Sequence, residues 1–173
     1  MKSADEAEFR EFVGARLKTL RRTAYLFCRD WYAADDLVAI AVAKLYRHWS
    51  RRAEIANLDG YVRGILARAC VDERRRPWRR EHLAEDGAVE TAVGRVAGAD
   101  EAVVDRLTLD AYLATLGPRR RAVLVLRFYC DFSVEETTEV LGISTGTVKS
   151  QTARGLETLR AVASANTDRG KRT

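Results

Sequence analysis

The segment Ser133–Leu159, SVEETTEVLGISTGTVKSQTARGLETL, admits few folds. Ser133 followed three residues later by Glu136 is a capping box, a start signal for a helix. Val134, Thr137, Thr138 and Leu141 follow at helical spacing. Gly142 then stands where a left-handed residue must end that helix. Ile143 is an apolar plug, and Ser144 can cap a second helix. The second helix keeps Val148, Leu156 and Leu159 for packing. It offers Thr145, Thr147, Lys149, Ser150, Gln151 and Arg154 to solvent or to base edges. Short polar side chains at a helix start, with cations behind them, suit entry into a DNA major groove. A plain helical hairpin with a polar outer face is the alternative; box, turn and plug in one register favour a helix-turn-helix.

The rest of the chain sets the class. Its 173 residues fit one domain or two small ones. Prolines are confined to Pro77 and Pro118, and strand-like alternation is scarce, which predicts an all-α protein. The formal net charge of +5 suits a nucleic-acid partner. No run of about 18 apolar residues is present, so no membrane contact is expected. The start, MKSADEAEFREFV, lacks a signal-peptide apolar segment, and a cytoplasmic location follows as an expectation. Cys28, Cys70 and Cys130 are far apart and read as small buried hydrophobes. His48 and His82 lack companions at ligand spacing. There is no nucleophile with a base, no metal cluster and no phosphate-binding glycine loop. The chain therefore reads as a non-enzyme without metal or cofactor.

Charge divides the chain. Arg63 to Arg80 holds seven arginines against Asp72 and Glu73, whereas Glu81 to Asp110 holds eight acids against Arg95 and Arg106. Gly87, Gly94 and Gly98 interrupt the acidic span. The expected architecture is two small helical domains, residues 1–80 and 105–165, joined by an acidic flexible linker, 81–104, and followed by a basic tail, 166–173. The linker predicts halves that move independently in the free protein. In the first half, helices are expected over about 5–29 and 33–49, then a break over 51–58. A third helix starts near Asp59 and is limited by Pro77. In the second half, Leu107 to Leu116 form a helix stopped at Gly117, and Pro118 starts the next. Ala122 to Tyr129, AVLVLRFY, reads as the central helix, and the helix-turn-helix completes the domain.

Three segments together resemble the extracytoplasmic-function sigma factors of bacterial RNA polymerase, a branch of the sigma-70 family. They are AADDLVAIAVAKLYRHWSR, NLDGYVRGILARACVDERRRPWRRE and LGPRRRAVLVLRFYCDFSVEETTEVLGISTGTVKSQTARGLETLR. The last is the most specific, and the combination resembles the SigE-like subgroup. The resemblance implies a factor that binds core RNA polymerase and lends it promoter specificity, without bond chemistry of its own. It implies core contacts by Asp35, Asp36, Leu37, Lys44 and Arg47. Asp36 and Leu37 match the family's Asp-Leu pair, whereas Ala39 and Ile40 depart from a polar Gln common there. It implies an anti-sigma partner as well.

The resemblance places the single-stranded −10 element on Asn57, Asp59, Tyr61, Arg63, Arg68, Arg74, Arg75 and Arg76. Reading an unstacked base needs a polar loop, and tracking phosphates needs cations. Tyr61 is either a stacking face or core, and Trp78 either stacks or covers apolar surface. The duplex −35 element falls to Arg119, Arg120, Thr145, Thr147, Lys149, Ser150, Gln151 and Arg154, with Arg121 beside them as a backbone holder. The acidic linker is either a solvated spacer or a mimic of RNA phosphates. Two other functions remain. A stand-alone regulator would need a dimer surface to read two half-sites, and no heptad seam is present. A protein-interaction module leaves the second half unexplained.

Overall fold

The computed structural model describes residues 3–73 and 109–170. Expectations for Arg74, Arg75, Arg76, Pro77, Trp78, His82, Leu107, the linker 81–104 and the side chains of the tail lie outside the described residues. Within them every element is helical.

The first half is a three-helix body. α1, Ser3–Cys28, ends where Arg29 takes a left-handed φ of 61°. Asp30 then caps α2, Trp31–His48, by accepting from the Ala33 amide at 2.7 Å. Ala34, Leu37, Val38, Ala41 and Leu45 recur every three or four residues and are buried, so this face meets α1. Burying leucines such as Leu37 and Leu45 stabilises the body by roughly 1.5–3 kcal/mol each. The expected break after α2 is mostly a 3-10 turn, Trp49–Glu54, whose Trp49 is 1% exposed and packs edge-on against Phe9. α3, Leu58–Glu73, carries Val62 and Leu66 inward.

The second half begins with a helical segment at 109–114. Gly117 and Pro118 start α4, Pro118–Leu124, with proline where its missing N–H costs nothing. The expected central helix then changes character. Val125–Tyr129 is a π-helical turn, in which the Cys130 amide bonds the Val125 carbonyl at 3.0 Å. The wider turn shifts register. Val125 and Leu126 stay buried, while Phe128 and Tyr129 face outward. α5, Val134–Leu141, has the expected capping box, formed in both directions by Ser133 and Glu136. Gly142 ends it at φ 62°, and Ser144 accepts from the Thr147 amide at the start of α6, Thr145–Gly170. Val148 of α6 is fully buried.

The two halves pack against each other. Tyr25 at the end of α1 donates to Asp110 at 2.6 Å, and Arg29 lies 3.6 Å from the same carboxylate. Arg68 of α3 donates to the Glu139 and Val140 carbonyls at the end of α5, both at 3.0 Å. Gly64 makes that crossing close: a Cβ there would lie 3.1 Å from Val140. A linker's composition reports its own stiffness, and says nothing about complementary faces on the bodies it joins.

Candidate nucleic-acid interfaces

α6 is held by its buried side, which fixes what it shows. Thr145, Gly146, Lys149, Ser150, Ala153 and Arg154 are exposed and share one face at steps of three and four residues. Thr147 sits differently. Its hydroxyl is 2.9 Å from Ser144 Oγ, within the cap, and it is half-buried. Gln151 is also half-buried, and its Oε1 accepts from Arg120 Nε at 3.3 Å. Arg119 is exposed at the start of α4.

Arg121 is not a surface cation. It is 7% exposed and donates to the Leu113 and Leu116 carbonyls at 2.9 and 2.7 Å. The reason is geometric: α4 packs its inner face on the end of segment 109–114 and the turn after it, where the Leu113 and Leu116 carbonyls take its donors. Three consecutive arginines thus divide into an exposed, a half-buried and a buried one.

On the first half, Asn57 caps α3, its Oδ1 accepting from the Gly60 amide at 2.9 Å. Asp59 is ion-paired with Arg16 at 2.6 Å. Tyr61 is half-buried against the core and lies edge-on to His48. These side chains, with Arg63 and Arg68, line one face of a cleft of about 610 Å³ between the halves. The facing wall is Cys130, Asp131, Phe132, Glu136, Glu139 and Val140. Burial pushes the Cys130 thiol up to about 11, against the pull of Arg63. Burial first, and then its bond to Asp110, raises the Tyr25 hydroxyl to about 12, so it stays a donor.

On α2, Asp36, Lys44 and Arg47 are exposed, as a docking face requires. Asp35 is exposed but committed: Arg21 bonds both its oxygens, at 2.5 and 3.0 Å, and holds its carboxyl below the usual range. Leu37 is 2% exposed and belongs to the core, so its expected surface role is corrected. Tyr32 is 86% exposed one turn before Asp36 on the same face.

A helical body joined to a helix-turn-helix whose second helix shows Lys149, Ser150 and Arg154 defines a DNA-binding protein of transcription. Residues 12–80 match "Sigma-70 region 2" and residues 112–161 match "Sigma-70, region 4". The chain is 35% identical over 160 residues to the RNA polymerase sigma-E factor of Streptomyces antibioticus, covering 92% of this chain and 87% of that protein. It is 27% identical over 152 residues to the extracytoplasmic-function sigma factor SigM of Mycobacterium tuberculosis, covering 88% and 75%. The chain belongs to the extracytoplasmic-function branch of the sigma-70 family, the factors that give RNA polymerase promoter-specific initiation. In fold it is similar to the sigma factor RpoE of Bartonella quintana, solved with the anti-sigma factor NepR. The TM-score is 0.70 at 21% identity, over 91% of this chain and 97% of that one.

Proposed function

We propose that the chain docks on core RNA polymerase through the outer face of α2 and reads promoter DNA with its two halves separated. Asp36, Lys44 and Arg47 form the core contact, while Asp35 and Leu37 hold α2 in place. The cleft face of α3, with Arg63 and Arg68, meets the single-stranded −10 element, followed by Arg74, Arg75 and Arg76. Asn57 and Asp59 shape the start of α3 and present what remains of their polar edges. α6 enters the −35 groove with Thr145, Lys149, Ser150 and Arg154, and Arg119 meets the backbone beside it. Residues 1–80 and 105–165 are the functional units and 81–104 the connection.

The single observation that carries this reading is the order of two sigma regions on two helical bodies, each with exposed cations. The two promoter elements lie about 25 base pairs apart, or about 85 Å at 3.4 Å per pair. In the packed form α3 touches α5, and a compact chain of this length has a radius of gyration of only about 16 Å, too small to span both elements. Reading a promoter therefore requires the halves to part. A closed form with a cleft between its halves also suits an anti-sigma regulator, as the relative solved with NepR has. The chain acts as a non-enzymatic factor in the cytoplasm; among the described residues no helix is long and apolar enough to cross a membrane.

Co-purification with bacterial core polymerase, followed by transcription from a promoter-fragment library, tests the reading. Stable core binding with selective initiation is expected. Duplex binding without core binding would replace it with a stand-alone regulator.

A further inference from the structure

Gln151 carries the residue type of a base reader in a recognition helix, but the structure puts it to another use. It stands off the exposed face of α6, half-buried on the flank that meets α4. There it lines a small cleft with Val71, Arg119, Val123, Ile143 and Thr147. Its Oε1 accepts from Arg120 Nε at 3.3 Å, the long end of a hydrogen bond. One helical turn further on is Gly155, on the same face of α6. A Cβ at Gly155 would lie 3.1 Å from Arg120 Cγ, and 2.7 Å from Leu124 Cδ1. Gln151 and Gly155 thus hold Arg120 at two points. Gln151 receives the Nε–H, and the missing side chain of Gly155 leaves room for the aliphatic stem.

We propose that Gln151 is a positioning residue for Arg120, and that Arg120 is a preset donor to a DNA phosphate beside the −35 groove. The inference rests on the proposed docking of α6 at the −35 element. The chemistry follows from the guanidinium. Its Nε is engaged by Gln151, while its two terminal nitrogens meet no acceptor among the described residues. Those two donors form the fork that suits a phosphate. An arginine already held by its Nε and its stem loses less rotamer freedom on binding than a free one. A contact to phosphate sets the position of the domain and carries no sequence information. Gln151 should therefore affect how tightly the −35 element is held, and leave unchanged which sequence is preferred.

The test uses the full chain assembled with core polymerase, on promoter fragments randomised at the −35 element and titrated over a range of salt. Gln151→Met keeps the length of the side chain and removes the acceptor. Arg120→Ala removes the proposed phosphate donor, and Arg120→Lys keeps charge without the Nε–H. Each variant is expected to weaken binding evenly over all sequences. Arg120→Ala should lower the slope of log affinity against log salt by about 0.9, the value for one phosphate. In the Arg120→Ala background, Gln151→Met should add nothing further. A base-reading Gln151 would instead relax preference at one position by roughly 5- to 150-fold. That outcome overturns the proposal, as does a full effect of Gln151→Met in the Arg120→Ala background. If the unaltered assembly shows no −35 preference at all, the docking of α6 itself is wrong, and the proposal falls with it. Unchanged melting temperatures of the free variants separate positioning from misfolding.

Discussion

Removing one carboxylate should loosen the closed form measurably. Asp110 accepts from the Tyr25 hydroxyl at 2.6 Å and faces Arg29 Nε at 3.6 Å, too long for a hydrogen bond. Asp110 and Arg29 are 26% and 16% exposed, so the group is shielded without being sealed. A hydrogen bond to a charged group is worth about 1.5–3 kcal/mol. The Arg29 attraction is coulombic and weaker, and Arg29 regains water when the halves part, so that range stands for the whole contact. Asp110→Ala should then raise the ratio of open to closed forms by roughly 10- to 150-fold. Cys130 supplies the assay. It is 5% exposed, lines the cleft between the halves, and is held by burial at about 11, so it reacts slowly while the protein is closed. Opening exposes it and returns it towards its ordinary value of 9.0. Alkylation at mildly alkaline pH, read peptide by peptide by mass spectrometry, should speed up at Cys130 by the same factor. Cys70 shares the inward face of α3 with Leu66 and is the internal control. An unchanged Cys130 rate would show that Asp110 does not hold the halves together, and a parallel rise at Cys70 would report general unfolding instead.

Other consequences can be measured more simply. Lys149→Ala with Arg154→Ala should weaken −35 duplex binding and leave core-polymerase binding intact; if both side chains meet phosphates, the salt slope falls by about 1.8. Gly14→Ala and Gly155→Ala should shift the melting temperature in opposite directions. Nothing lies within 4 Å of a Cβ at Gly14, so alanine there gains roughly 0.5–1 kcal/mol of helix stability. At Gly155 the clash with Leu124 opposes that gain at a cost of roughly 1–3 kcal/mol, and a rise in melting temperature would show that the contact relaxes. Ser133→Ala should destabilise the second half by about 1 kcal/mol in denaturant titration, through loss of the cap on the Glu136 amide.

The sequence alone determined what depends on neighbours a few residues apart. The capping box of Ser133 and Glu136, the left-handed Gly142 and the Ser144 cap are all set within one turn of chain, where residue type nearly dictates geometry. The helical class and the exposed Lys149 and Arg154 followed from the same local periodicity. Tertiary structure decided the role of side chains whose chemistry permits several. Arg121 closes carbonyls in the interior while Arg119 faces solvent, because only the packing of α4 distinguishes adjacent arginines. Asp35 turns to Arg21 and leaves Asp36 exposed, and Leu37 goes to the core. Gln151 bonds Arg120, 31 residues away in the chain. The closed arrangement likewise rests on pairs such as Tyr25 with Asp110, separated by 85 residues. A periodic pattern identifies a helix and its apolar stripe, but the partner that covers each flank comes from elsewhere in the chain, and that partner sets the use of a polar side chain.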